Sequence, residues 1–185
     1  FITQVRCFYM PKEVAVIGRL DTPARWVECK DGVLPSDSMG VGEEEGEKVY
    51  IGRVEHEGDL LPGRIVRGNC HATHGGEEIV RSEYYVLTDP YNCELVWVPA
   101  HGGRVPSGAL QGGQTLDREP LYIGKATHQG SVVFGKIHPS HGVLYFPHSG
   151  AETSAHCYDA LCLNCALYGD SSSSSEDELD PQPHR

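Results

Sequence analysis

Two histidines recur at matching positions in the chain, and each precedes a glycine by two residues. His56 and Gly58 stand in the stretch HEG, and 72 positions later His128 and Gly130 stand in HQG. An imidazole can ligate a metal ion or act as a general base near neutral pH. It can also hold a tight turn by bonding to backbone groups, while a glycine supplies the positive φ of such a turn. We favour the structural loop role for all four residues, since it explains the repetition equally well.

Two basic residues recur in the same way, each directly after a glycine. Arg64 follows Gly63, and Lys136 follows Gly135 at the same spacing of 72. A lone basic residue after a glycine turn is usually a solvated surface charge that contributes little to stability. The residue types by themselves therefore do not decide between such a surface charge and a shared binding role.

The segments that carry these residues belong to two internal repeats. Trp26 aligns with Trp97 at an offset of 71, the stretches YIGR and YIGK align at 72, and later anchors align at 74. An offset that drifts by so little is expected when the insertions fall in turns. We predict one repeat over residues 26–90 and a second over residues 91–168.

Short apolar runs bounded by Gly, Pro, Asp, Asn and His predict β-strands throughout both repeats. The runs are residues 49–51, 79–80, 84–87, 95–98 and 142–146. With 22 Gly and 12 Pro spread along the chain, no helical period is sustained. We predict an all-β fold in which the two repeats form a pseudo-twofold antiparallel β-sandwich-like domain, with Trp26 and Trp97 in its core.

The ends of the chain match neither repeat. Residues 1–25 contain strand-like pieces and are predicted to be an N-terminal extension or the remnant of a preceding domain. Residues 169–185 carry a serine run, then acids and two prolines, which predicts a disordered tail.

Charge and hydropathy restrict the classes of binding partner and the cellular compartment that the sequence favours. The chain has 26 acidic and 15 basic residues, for a formal net charge of −11. This charge argues against nucleic acid and anionic membrane surfaces as partners, because both would repel the chain. No apolar run approaches the ~20 residues of a membrane span, and no signal sequence is evident. We expect a cytoplasmic protein, and secretion stays open because the chain begins at Phe1 rather than Met.

Metal, cofactor and enzyme motifs are incomplete or absent in the sequence. Seven cysteines at irregular spacing do not form a disulfide framework. Cys162 and Cys165 could supply half of a zinc or redox site, but no second such pair follows. The glutamate run 43–45 lacks the spacing of a calcium loop, and neither Gly-x-Gly-x-x-Gly nor Gly-x-Ser-x-Gly occurs in a fitting context. We predict no metal, no cofactor, no catalytic residue and no enzyme.

The order of the repeated anchors resembles the DM-nine repeat family. Each copy runs from a Trp through Gly-x-x-Pro, Tyr-Ile-Gly with a basic residue, His-x-Gly, the glycine and basic residue, and a closing Tyr-x-x-Leu. The resemblance covers residues 26–162 and implies an intertwined pseudo-twofold β structure. The family includes an oyster mannose-binding lectin and the lectin modules of natterin-like toxins, so the resemblance also implies carbohydrate recognition.

The resemblance implies particular site residues. In the lectin, mannose is held by an acid in the turn before the Tyr-Ile-Gly strand and by the basic residue that ends the following loop. The basic position matches Arg64 and Lys136; the acidic position falls on Glu43 and, in the second repeat, near Thr115, where Asp117 is the nearest carboxylate. A carboxylate can accept from two vicinal hydroxyls while the cation donates to their oxygens. The implied function is metal-independent binding of mannose-like glycans, with a role in innate immunity and a homodimer.

An alternative from a different class stays open. The repeats could form only a rigid β platform in an intracellular scaffold or trafficking adaptor. In that case the acidic tail 169–185 would recruit a protein partner.

Overall fold

The computed structural model describes residues 24–90 and 95–164, and it confirms the all-β prediction. The first repeat contributes β1 (Arg25–Lys30), β2 (Gly40–Glu44), β3 (Glu47–His56), β4 (Asp59–Val66), β5 (Asn69–His74), β6 (Glu77–Arg81) and β7 (Glu83–Thr88). The second contributes β8 (Leu95–His101), β9 (Gln111–Gln114), β10 (Pro120–His128), β11 (Ser131–His138), β12 (Val143–His148), β13 (Ala151–Ala155) and β14 (Cys157–Leu163).

One short helical segment occurs among the described residues, a 3-10 turn at Pro139–His141. No helix in this part of the chain has the length and hydropathy that a membrane span requires. The predicted tail 169–185, Cys165 of the cysteine pair, and residues 1–23 of the predicted extension lie outside the described residues.

The strand order shows the predicted pseudo-twofold relation directly. The strands are paired in the order β1-β7-β3-β4-β5-β6-β13-β12-β11-β10-β14-β8. Counted inward from the two ends of this order, equivalent strands of the two repeats hold the same place: β1 and β8, β7 and β14, β3 and β10, β4 and β11, β5 and β12, and β6 and β13. All the pairings in this order are antiparallel. The halves meet where β6 pairs with β13 through Glu77 and Ala151. A second link forms where β9 pairs with both β10 and β4.

The core is shared between the repeats, which is why they pack as one sandwich-like body. One buried cluster contains side chains of both repeats: Trp26, Val49, Ile51 and Leu87 from the first, and Leu110, Ile123, Phe134 and Leu161 from the second. Two further clusters lie mainly within one repeat each. Trp26 is buried, as predicted, whereas Trp97 is partly buried against the shared cluster. Apolar burial of this kind is the main favourable contribution to folding.

Candidate functional site

Arg64 and Lys136 occupy equivalent places beside the junction of the two repeats. Arg64 lies on β4 opposite His71 of β5, and Lys136 lies on β11 opposite Tyr145 of β12. Of these strands, β5 and β12 lie next to β6 and β13, where the halves of the sheet meet. The matched positions predicted from the sequence are therefore also matched in space.

Arg64 is held by a carboxylate of its own repeat and touches the other repeat. Its Nε donates to Glu44 Oε2 at 2.8 Å, and its Nη2 donates to Glu44 Oε1 at 3.4 Å. Its Nη1 donates to the carbonyl oxygen of Pro147, in the second repeat, at 3.5 Å. The side chain of Arg64 is 13% exposed and that of Glu44 is 42% exposed. The two-point pair fixes the geometry of both groups, and Glu44 is the more exposed of the two.

The carboxylate that faces Arg64 is Glu44, one residue after the predicted Glu43. Glu43 is exposed and stands opposite Lys48 of β3. Successive side chains of a strand point to opposite faces, so only one of two neighbouring glutamates can turn toward Arg64. A bulge between Gly40 and Gly42 sets which one it is by shifting the register of β2.

Lys136 is more enclosed than Arg64. Its Nζ lies 3.1 Å from Glu152 Oε1 and donates to the carbonyl oxygen of Thr73, in the first repeat, at 2.5 Å. The ammonium also lies 5.5 Å from the centre of the Tyr145 ring. The side chains of Lys136 and Glu152 are only 6% and 11% exposed. This pair is mostly buried within the second repeat, and the bond from Lys136 to Thr73 ties it to the first repeat.

The surroundings of Glu152 favour the charged form of its carboxyl. Burial alone would raise the pKa of the Glu152 carboxyl, but Lys136 and the hydrogen bond from the Gly76 N–H outweigh burial and hold the pKa below its ordinary value. The acid predicted in this repeat, Asp117, is exposed in the turn between β9 and β10. The carboxylate that contacts Lys136 is Glu152, from β13.

The sequence comparison missed the role of two glutamates that exchange bonds across the pseudo-twofold axis. Glu78 Oε2 accepts from the Gly150 N–H at 3.1 Å, and Glu152 Oε2 accepts from the Gly76 N–H at 2.9 Å. The other oxygen of Glu78 lies 2.7 Å from His71 Nδ1, whereas the other oxygen of Glu152 contacts Lys136. The recurrence of a glycine two residues before each glutamate was the available signal, and it marks an inter-repeat contact.

The predicted loop residues lie at the tips of two equivalent hairpins. His56 ends β3 and His128 ends β10. Gly58 and Gly130 follow in the turns with φ of +91° and +82°, the left-handed region that glycine adopts without steric cost. The turn geometry therefore explains why these glycines repeat.

A separate groove of about 610 Å³ opens beside β10 and β14 in the second repeat. Its walls include Lys125, Tyr158 and Asp159. The ammonium of Lys125 lies 3.9 Å from Asp159 Oδ2 and 4.7 Å from the centre of the Trp97 ring. The groove includes neither Arg64 nor Lys136, so it is distinct from the paired sites.

Comparison with known proteins decides the family. The family model described as the DM9 repeat matches residues 12–69 and 43–155. The chain belongs to the DM9 repeat family. Its DM9 repeats are similar to Natterin-2 of Thalassophryne nattereri, at 35% identity over 97 residues, covering 51% of the chain and 24% of that protein. They are also similar to Natterin-1 of the same fish, at 29% identity over 149 residues, covering 78% of the chain and 39% of that protein.

The DM9 chain therefore spans well under half the length of these relatives. Its fold is similar to that of the nematode sperm cell motility protein MFP2B, with a TM-score of 0.56 at 13% identity. That match covers 76% of the chain and 44% of the motility protein. At this identity the likeness concerns the β fold alone.

Proposed function

We propose that this DM9 protein is a non-enzymatic lectin-type module that binds mannose-like glycans, with Arg64 and Glu44 as its principal site. The half-open Arg64–Glu44 pair is the observation that carries the proposal. The guanidinium is covered and is fixed by two bonds to Glu44 and one to the carbonyl oxygen of Pro147, while the side chain of Glu44 is 42% exposed. Vicinal hydroxyls can donate to such a carboxylate while their oxygens accept from the guanidinium.

The second site is the weaker one in this proposal. Lys136 already donates to Thr73 and pairs with Glu152, and both charged side chains are nearly enclosed. A sugar would have to displace an existing charged contact to reach the ammonium. Displacing a buried ion-pair partner is costly, because it leaves the other charge unpaired.

The proposal extends to biology and assembly. A module with one strong and one weak site gains avidity when two copies bind the same surface, so a homodimer would suit recognition of glycans on microbes or within the cell. The proposed recognition uses side-chain hydrogen bonds alone and is independent of metal ions.

Binding to mannose resin and to a glycan array tests the proposal. We expect retention by mannose-type ligands that persists in a chelator and is lost in Arg64→Ala. Arg67→Ala is the matched control, because Arg67 is an exposed arginine three residues away that pairs with Glu45. Equal losses in both variants would mean that overall charge, rather than a site, drives retention.

Two glutamine variants distinguish Glu44, which contacts Arg64 in the structure, from Glu43, which the resemblance implied. We expect Glu44→Gln to weaken sugar binding about tenfold or more, since a charge-assisted bond is about twice as strong as a neutral one. Glu43→Gln tests the residue matched by sequence alone. Loss in Glu43→Gln with no loss in Glu44→Gln would move the acid of the site back to Glu43.

Absence of binding to every sugar would reject the lectin proposal and favour the adaptor. Deletion of residues 169–185 then discriminates further, since an adaptor that recruits partners through its tail would lose partner capture while keeping its fold.

A further inference from the structure

The tips of two neighbouring hairpins in the first repeat bring two histidines and two carboxylates together. His56 ends β3, Glu57 lies in the turn, Asp59 begins β4 and His74 ends β5. The sequence suggested a structural part for His56 and gave His74 no role. Strand pairing brings them together, because β4 pairs with both β3 and β5.

Three of these residues offer ligand atoms at close range. His56, Glu57 and His74 each contribute one atom, and the three atoms lie within 4.8 Å of one another. The Nδ1 atom of His74 lies 3.9 Å from Glu57 Oε2. The two imidazole rings meet edge to face, with centroids 5.0 Å apart. Zn²⁺ binds imidazole nitrogen and carboxylate oxygen at about 2.0–2.2 Å, so a modest contraction would bring all three atoms into range.

Asp59 completes the arrangement from behind His74. Its Oδ2 lies 3.4 Å from His74 Nε2, on the side of the ring away from Glu57. Its Oδ1 accepts from the Leu116 N–H, in the second repeat, at 2.7 Å. A metal-ligating histidine commonly donates its other ring N–H to a fixed carboxylate, which sets its tautomer and orientation. Asp59 is positioned to do this for His74.

The second repeat provides an internal comparison. His128 and His148 repeat the histidine pair, with ring centroids 4.6 Å apart. At the positions equivalent to Glu57 and Asp59, however, the chain has Gln129 and Ser131. Two histidines with neutral neighbours make a poorer cation site, because neither a ligand carboxylate nor an orienting one is present.

We propose that His56, Glu57 and His74 bind one Zn²⁺ ion, with Asp59 as the positioning residue and with the fourth coordination position open to water. The ion joins the β3–β4 turn to the end of β5. It stabilises the folded chain because the unfolded chain does not hold these ligands together. The site is separate from the proposed sugar site at Arg64, and sugar binding does not depend on it.

Arg81 competes with the ion in the apo protein. Its Nη2 lies 3.1 Å from His56 Nδ1, and its Nη1 donates to the carbonyl oxygen of Val80. A guanidinium that donates to Nδ1 selects the tautomer with the proton on Nε2. The proton blocks Nε2 as a metal ligand. Arg81 is exposed and can turn away, so Zn²⁺ binding displaces it.

Titration of the full chain with Zn²⁺, followed by calorimetry and by the thermal midpoint, tests the proposal. We expect one histidine-dependent equivalent that raises the midpoint, and Glu57→Gln should weaken it about tenfold or more. This variant keeps the turn, since Gln129 already occupies the equivalent position with φ of 50° against 51° for Glu57. Arg81→Ala should tighten binding. Absence of a midpoint shift in the parent chain, or an undiminished shift in Glu57→Gln, would overturn the proposal.

Two further variants distinguish this site from other zinc ligands of the chain. His128→Ala/His148→Ala, the matched pair in the second repeat, should leave the zinc-dependent shift unchanged. Gln129→Glu/Ser131→Asp should create a second equivalent there. Co²⁺ in place of Zn²⁺ identifies the ligand type, because thiolate ligands give an intense charge-transfer band and nitrogen and oxygen ligands do not. Retention of the parent shift in His56→Ala/His74→Ala, or a thiolate band for the first equivalent, would assign the zinc elsewhere.

Discussion

The enclosed Lys136–Glu152 pair should make stability depend on acid pH. The pKa of the Glu152 carboxyl is held below its ordinary value of 4.5, with burial opposing and Lys136 and hydrogen bonds prevailing. Its stabilisation is therefore complete above 4.5 and is lost as the pH falls through the lower folded-state pKa. We expect urea unfolding measured from pH 7 to about pH 3 to show a shallower acid decline in Glu152→Gln. An unchanged decline would mean that other groups cause the acid sensitivity.

The glycines before the two basic residues should tolerate no side chain. A Cβ on Gly63 would lie 2.2 Å from the carbonyl oxygen of His71, and one on Gly135 would lie 1.9 Å from that of Tyr145. We expect Gly63→Ala and Gly135→Ala to destabilise the fold by roughly 3 kcal/mol or more in chemical denaturation. Gly42→Ala is the control, because its Cβ would make only an ordinary contact at 3.9 Å. Near-neutral effects at Gly63 and Gly135 would show that the strands can separate there.

The sequence located the basic residues of the site but not their partners. Arg64 and Lys136 recur at a fixed spacing, and spacing is visible in sequence. Glu44 faces Arg64 because of strand alternation and a bulge, and Glu152 reaches Lys136 from a different hairpin. Aligning an acid with a turn position of the family shows neither the strand alternation nor a contact from another hairpin. The implied acids Glu43 and Asp117 are therefore not the ones that contact Arg64 and Lys136.

At the scale of elements, apolar strands were predictable and polar ones were not. The predicted runs fall within β3, β6, β7, β8 and β12, apart from Gly142, which precedes β12. The glycine-rich β2 and β9, and the polar β5 and β13, lack an apolar run. Their strand conformation comes from long-range pairing, for example between β9 and both β10 and β4. Backbone pairing of this kind leaves no period in the sequence.

His138, directly before the 3-10 turn at Pro139–His141, should have a pKa that is shifted in a direction set by its neighbours. The pKa of His138 is lowered, first by burial and then by the stacked His141, while Glu119 opposes both. Glu119 is held by the backbone N–H and hydroxyl of Ser140 at 2.9 and 2.8 Å. The stability tied to His138 is therefore complete above its ordinary pKa of 6.5 and is lost as the pH falls through the lower folded-state value.

An NMR titration of the imidazole checks this account. We expect the pKa of His138 to fall below 6.5, to fall further in Glu119→Gln, and to rise in His141→Ala. Shifts of the opposite sign in the two variants would mean that burial and local structure, rather than these charges, control the group.

At the scale of the whole molecule, the repeats are two sequence units and one folding unit. The shared cluster joins side chains of both, and the crossed contacts of Glu78 and Glu152 tie their turns together. Small proteins with a continuous core usually unfold in one cooperative step. The strand order gives the same expectation, since the sheet continues from one repeat into the other.

The two tryptophans can report on this cooperativity, because the chain has one in each repeat. Trp97→Phe leaves Trp26 as the reporter of the first repeat, and Trp26→Phe leaves Trp97 for the second. Circular dichroism measures how much each substitution itself changes the stability. After correction for that change, we expect the tryptophan fluorescence denaturation curves of the two proteins to coincide. Adding Phe134→Ala, which opens a cavity on the second repeat's side of the shared cluster, should then lower the stability reported by Trp26 by about 3–5 kcal/mol. A Trp26 curve that does not move would mean that the first repeat folds without the second, in conflict with a shared core.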